Sequence, residues 1–408
     1  MTDTSAQARI GRVEFTGSRH ELFLIILRGY ALMIPTIGLY RFWQATWKRR
    51  FYWQNTVIDG EPLEYTGTAN QLLLGFFFAL AFFLPIYVAA FVLSMQESSY
   101  VVLGYLGIGT AVWFLMGYAI YRARDFRLSR TMWRGVRFDM RGNAWAYALR
   151  RFFWSILMLF TAGLIYPWMA SSLWKYRWRA TWFGDRKFEI AGNWRAFAGY
   201  YYAAYIVNLL AIGATLAWLG SSGDYVLVDN IFPIPGPLGC LACLGCVLVF
   251  ALSFAWYRTR SASRMLSSVS LGDARLTVKL GTGALVGQFL VYGVGVLGLL
   301  VVLALALGLV IGAVYAIATA GGKTDSSAFV AVFQSGSTNV ALLILAYLIV
   351  LGALGLLAEI VLAYGWWRLL ARGASISNPD SLRGVRAGAE DRALVGQGLA
   401  DALNVGAY

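Results

Sequence analysis

A single histidine, His20, in 408 residues rules out an imidazole cluster for a metal and leaves acid–base chemistry to carboxylates and lysines. The three cysteines all fall within Cys240–Cys246, inside an apolar run, which excludes a disulfide framework. Their i, i+3, i+6 spacing aligns thiols along one helix face, but a closed tetrahedral metal site takes four ligands. Small polarizable side chains packed on a neighbouring helix account for the run, and no metal is expected. No Gly-rich phosphate loop, nucleophile elbow or pair of catalytic carboxylates occurs, so neither enzymatic activity nor a cofactor is expected. The opening stretch, MTDTSAQARIGRVEF, has no apolar core, so no cleaved signal peptide is expected.

Charge is scarce too, at 13% of residues where a soluble domain carries about a quarter. What fills the chain is apolar: 59% hydrophobic residues and a mean hydropathy of +0.62, the composition of an integral membrane protein. Eight apolar segments stand out, at about 22–43, 71–93, 100–121, 145–168, 196–219, 236–257, 284–319 and 340–367. Each has the roughly 20 residues needed to cross a bilayer. The seventh exceeds the bilayer as one helix, so it either projects or breaks around Gly293, Gly295 and Gly298. Gly283-x-x-x-Gly287 and Gly308-x-x-x-Gly312 predict close helix contacts.

The polar connectors are unequal. Stretches 41–67, 122–144, 172–195 and 258–283 hold 22 Lys and Arg between them, whereas 94–99, 220–235 and 320–339 hold only Lys323. Basic residues collect on the cytoplasmic side of short loops. Eight alternating crossings would put two of the basic stretches outside. Six spans, with the first and fourth segments entering and leaving on one side as re-entrant or interfacial hairpins, put every basic stretch and both termini in the cytoplasm. Eight spans that violate the charge rule are the alternative. The net charge of +14 then reads as a cytoplasmic face attractive to anionic lipid headgroups, not to nucleic acid.

Those two segments are also the chain's internal repeat. Shifted by 125 positions, Phe15–Gly67 lies over Met140–Gly192 without a gap, with 13 of 53 residues identical. Thr36-Ile37-Gly38-Leu39 falls on Thr161-Ala162-Gly163-Leu164, Trp43 on Trp168 and Trp53 on Trp178. A Thr-x-Gly-Leu break thus interrupts both apolar segments, and each is followed by a basic, Trp-rich helix. Trp43, Trp47, Lys48, Arg49 and Arg50, with Trp168 and Lys175, suit an interfacial helix that reaches lipid headgroups.

After each basic helix comes a strand signal. Thr56-Val57-Ile58 and Leu63-Glu64-Tyr65 flank Asp59-Gly60, and echoes stand at Gly135, Gly184-Asp185 and Gly272-Asp273. Four such hairpins could pair as one small sheet capping the bundle. The fold class is therefore an all-α integral membrane protein of six to eight hydrophobic helical segments, with short cytoplasmic β-hairpins. Its units are a first repeat (1–139), a second (140–281), a helical pair (282–367) and a polar tail (368–408). Leu394-Val395, Leu399 and Leu403 in the tail predict a short amphipathic helix.

Glu359 is the sharpest functional candidate, because an ionisable group in the eighth segment needs a partner. Arg28, Arg150 and Arg151, the basic residues inside the two broken segments, are the cations available by sequence. Asn208 and Gln288 read as helix-packing hydrogen bonders.

Phe15-x-Gly17, Thr36-x-Gly38-Leu39-Tyr40, Trp43, Asn55-Thr56 and Asp59-Gly60 together resemble the YjgN family of bacterial membrane proteins. Leu271-Gly272-Asp273-Ala274-Arg275-Leu276 and Gly398-Leu399-Ala400-Asp401-Ala402-Leu403 extend the resemblance over nearly the whole chain. Phe42 stands where the family has proline, while the second copy keeps Pro167-Trp168. The resemblance implies a bacterial inner-membrane protein and supplies no substrate, cofactor or catalytic residue. Two functions follow as expectations. One is a transporter or channel whose path passes Thr36, Gly38, Thr161, Gly163 and Glu359, since paired broken helices point to a binding site. The other is a non-transporting scaffold or anionic-lipid-binding protein.

Overall fold

The computed structural model describes residues 9–96, 100–228, 232–320 and 336–387. Strand β1 (Ile10–Phe15) leads into α1 (Arg19–Met33), a turn and α2 (Arg41–Gln54), then β2 (Thr56–Ile58) and β3 (Glu61–Tyr65). Helices α3 (Ala69–Ser94) and α4 (Tyr100–Ser129) go out and back to β4 (Thr131–Trp133) and β5 (Val136–Met140). A second short pair, α5 (Ala144–Phe160) and α6 (Tyr166–Arg179), returns to β6 (Thr181–Phe183), β7 (Arg186–Lys187) and β8 (Glu189–Ile190). The next long pair is α7 (Arg195–Ser222) and α8 (Pro237–Leu266), bridged at its far end by the hairpin β9 (Tyr225–Val228) and β10 (Phe232–Pro235). Then follow β11 (Val269–Leu271), β12 (Ala274–Val278), α9 (Thr282–Ala320) and α10 (Gly336–Ala358). A π-helical turn at Glu359–Ala363 joins α10 to α11 (Tyr364–Gly373), β13 (Ala374–Ser377) and a 3₁₀ turn (Pro379–Gly384).

Among the described residues six helical stretches are long and apolar enough to cross a membrane: Ala69–Ser94, Val101–Ser129, Arg195–Ser222, Pro237–Leu266, Thr282–Ala306 and Ile344–Gly373. They mark the chain as a helical membrane protein. Most of their apolar side chains are exposed, as lipid-facing surfaces require. The first and fourth apolar segments are each broken into helices of 14 to 17 residues, about 21–26 Å long, too short for roughly 30 Å of hydrocarbon. Helix α9 runs unbroken for 39 residues, so Gly293, Gly295 and Gly298 do not interrupt it. Among the described residues the expected glycine contacts are not made. A side chain at Gly283, Gly287, Gly308 or Gly312 would meet nothing within 4 Å, whereas Gly295 lies against Leu357. The pattern marks a possible close approach, and which face meets a neighbour was decided by Leu357 on α10.

The label all-α is too narrow. Among the described residues eleven strands form one sheet, in the order β7-β6-β5-β4-β3-β2-β1-β13-β12-β11-β8. Its two terminal strands, β7 and β8, are consecutive in sequence and separated only by Phe188, whose N–H donates to the Thr181 carbonyl. The sheet therefore closes into a barrel, which removes its open edges. All four hairpins read from the sequence are present, and their turns have the required backbone. Asp59-Gly60 and Arg134-Gly135 have both φ positive, and Gly184 and Gly272 carry the positive φ in the other two. The fifth pair was not foreseen: β1, from the N-terminal arm, joins β13, from the polar tail, with Ile10 opposite Ser377. Its partners lie some 360 residues apart, and no local turn announces them. The tail segment expected to form an amphipathic helix (Leu394-Val395, Leu399, Leu403) lies outside the described residues.

Strand alternation sorts side chains. Ala274, Leu276 and Val278 of β12 line an interior cavity, while Arg275 and Thr277 between them are exposed. Trp133, Phe183, Leu271 and Leu382 pack as the barrel core, each fully buried side chain contributing ~1.5–3 kcal/mol.

Candidate functional site

The two broken segments end in the same turn. Thr36 Oγ1 donates to the Leu32 carbonyl (2.6 Å) and accepts from Tyr40 N–H (3.1 Å). Thr161 Oγ1 donates to Leu157 O (2.8 Å) and accepts from Ile165 N–H (3.4 Å). Gly38 and Gly163 N–H reach back to the carbonyls of Met33 and Met158, with φ of +81° and +88°. Ile37 and Ala162, also left-handed, precede them at φ +51° and +48°. The Thr-x-Gly signature is thus a turn motif in which threonine and glycine satisfy the severed helix ends. It carries an exposed apolar tip: Ile37 is 94% and Phe160 86% exposed. The threonine hydroxyls make their hydrogen bonds inside the turn.

The tips differ in how they are held. Tyr205, Tyr201 and Tyr202 of α7 donate to the carbonyls of Ala162, Gly163 and Leu164 at 2.9, 2.8 and 3.0 Å. The residues 125 positions before these tyrosines are Phe76, Phe77 and Leu80, which have no hydroxyl.

Between α1 and α2 the chain forms a cleft of about 330 Å³ with Arg28, Arg50, Glu21, Gln44, Tyr40 and Trp47 in its wall. Gly29 makes the close crossing possible: a Cβ there would lie 2.5 Å from the Gln44 amide, whose Nε2 donates to Ile26 O. Arg28 is exposed, and Arg50 stacks over Trp47 at 5.5 Å with one Nη on the Gly67 carbonyl.

Glu359 opens the π-helical turn, a feature that recurs at functional sites. Its partner is Lys48, 3.1 Å away, and not one of the arginines inside the broken segments. The reason is the fold of α2, which turns back along α1 and brings Lys48 to the last long helix. Burial, then the neighbouring Glu359 carboxylate, push the Tyr30 phenol above its usual value. Glu359 also shares a cavity of about 380 Å³ with Arg258, which lies 4.6 Å over Trp366. Its second oxygen, Oε1, is buried without a hydrogen-bond partner.

A family model described as "Bacterial protein of unknown function (DUF898)" matches residues 11–402. The chain belongs to the DUF898 family. That family contains YjgN, so the resemblance carried by Thr36-x-Gly38-Leu39-Tyr40, Trp43 and Asp59-Gly60 holds. No curated protein and no solved structure matches the chain.

In this DUF898 protein the expected site residues separate into groups. Thr36 and Gly38 sit at one exposed tip and Thr161 and Gly163 at the other, while Lys48 and Glu359 pair about 10 Å of helix beyond the start of α2. Arg150 lies over Tyr176 at 5.0 Å, and Arg151 packs against Gly117 on α4 with its Nε unpartnered. Arg49 donates to the Tyr65 hydroxyl, and Lys48 pairs with Glu359. Trp47 is half-exposed, Trp43 stacks on Tyr40, and Trp168 stacks on Trp194 at 4.0 Å, while Lys175 lines a small crevice with Trp174 and Arg264. Asn208 accepts from Ser253 Oγ across α7 and α8, and Gln288 packs on Gly365. Cys240 meets the Pro235 carbonyl, and among the described residues no group of His, Cys, Asp and Glu is arranged for a metal. Sequence reasoning missed Arg258, which reads as an ordinary basic residue at a helix end.

Proposed function

We propose that this protein is a non-transporting membrane protein that binds anionic lipid. Its barrel, both termini and basic connectors face the cytoplasm of a bacterial inner membrane, and the two short hairpins insert their apolar tips into one leaflet. The observation that carries this reading is the α1–α2 cleft. Two guanidinium groups, Arg28 and Arg50, with Tyr40 and Trp47, stand between an exposed apolar tip and the barrel. That is the depth at which headgroup phosphates meet Arg and Trp. The parallel order of the two copies, both leaving from and returning to the barrel, supports a pair of anchors in the same leaflet.

The test is lipid retention. Purified in detergent, the protein should carry phosphatidylglycerol in preference to phosphatidylcholine by native mass spectrometry. Arg28→Gln with Arg50→Gln should lower that retention about tenfold, while Arg150→Gln leaves it unchanged. Equal retention in the double variant sinks the idea. A second reading, transport, rests on Glu359: an unpartnered carboxylate oxygen at a π-turn, in a cavity shared with Arg258, suits a proton or ion step. It requires a flux that Glu359→Gln abolishes.

A further inference from the structure

The barrel interior is not filled. A cavity of about 360 Å³ lies within it, walled by Trp133, Phe138, Phe183, Leu271, Leu276 and Ile376. At roughly 30 Å³ per small group, it has room for about a dozen methylenes. A five-residue strand makes the wall ~17 Å tall. The 3₁₀ turn closes the end where the hairpin turns gather: Leu382 lines the cavity, the Asp185 N–H donates to Arg386 O, and Arg9 bridges Asp59 and Asp380. The opposite end faces the membrane helices, where Trp367 and Leu370 of α11, Leu266 of α8 and Trp178 of α6 form the rim.

Around one residue of that rim, Trp178, the polar groups are incomplete. Arg124 lies 4.9 Å over Trp178 and is the electrostatic neighbour of Arg177. The Nε atoms of both arginines are buried without an acceptor, and among the described residues neither has an ion-pair partner. The two guanidinium groups are partly buried neighbours, each with a buried Nε that has no acceptor. The Trp178 indole N–H is buried and unpartnered as well, whereas Trp53, at the same place in the first copy, donates to Thr131 Oγ1 at 2.8 Å. An apolar chamber with Trp178 on its rim, and two unmatched guanidinium groups beside that residue, is complementary to an amphiphile with a negative head.

We infer that the barrel is a binding chamber for one acyl chain whose acidic headgroup, carboxylate or phosphate, meets Arg124 and Arg177. This site is separate from the α1–α2 cleft and does not depend on it. The probe is dodecanoic acid carrying a diazirine near its chain end, added to the full-length protein in phosphatidylcholine nanodiscs and photolysed. Adducts mapped by peptide mass spectrometry are expected on Trp133–Phe138 and Val269–Val278. Excess unlabelled dodecanoic acid should suppress them, while adducts on α3 persist. Ala274→Phe, which puts a ring into the cavity, should remove the barrel adducts. Arg124→Gln with Arg177→Gln should raise the competing concentration about tenfold, and Arg28→Gln with Arg50→Gln should leave it unchanged. Phosphatidylglycerol bearing the same diazirine, run in parallel, distinguishes a free fatty acid from a phospholipid chain. Saturable barrel labelling by either supports the chamber. Labelling confined to the membrane helices with both probes, or barrel adducts that competitor leaves intact, overturns it. The wild-type competition decides even where Ala274→Phe loses the normal melting transition.

Discussion

Lys48 Nζ lies 3.1 Å from Glu359 Oε2, tying the first short hairpin to the π-helical turn of the last long helix. Both side chains are less than a quarter exposed, at 24% and 17%. Removing one partner leaves an uncompensated, largely buried charge, at a cost of roughly 2 kcal/mol, between the surface and buried cases. Lys48→Met and Glu359→Gln should each lower the melting temperature in detergent, and the double change should recover most of the loss. Additive losses would show that the pair is not coupled.

The three tyrosine hydrogen bonds onto Ala162, Gly163 and Leu164 should rigidify the second tip relative to the first. Tyr201→Phe costs about 1 kcal/mol of local stability. Replacing Tyr201, Tyr202 and Tyr205 together by Phe should speed amide exchange at the Gly163 turn and leave the Gly38 turn unchanged. Matching exchange at both turns in the wild type would contradict the asymmetry.

Closure of the barrel depends on the strand made from the chain's two ends. Ile376 pairs with Gly11 on one side and Leu276 on the other. Ile376→Pro removes a ladder donor within a central strand, a loss of ~3 kcal/mol or more. Limited proteolysis should then cut at the hairpin turns around Gly60 and Gly272, which resist in the wild type. Ser377→Ala at the end of the same strand should be silent.

Single cysteines at Gly60, Gly135 and Gly272, in a background lacking Cys240, Cys243 and Cys246, report sidedness. All three turns belong to one barrel, so they should label from one side of the membrane only, and a cysteine at Ser222 from the other. Mixed labelling of the three turns would be incompatible with the closed sheet in a membrane.

The sequence by itself determined the helical membrane class, the two helix breaks and the four hairpin turns, while it left six and eight spans both open. Each is a local signal: apolar runs, Thr-x-Gly, and Asp-Gly or Gly-Asp between alternating strands. Glu359 was legible as a candidate because an ionisable residue near an apolar segment stands out against its neighbours. Only the tertiary structure decided that Lys48 would meet Glu359 and that Arg124 would sit beside Arg177. It also decided that Ile10–Arg12 would pair with Ser375–Ser377 to close a barrel around an apolar cavity. Those relationships join residues tens to hundreds of positions apart, through the crossing angles of helices and the register of strands. No period or spacing within one segment encodes them.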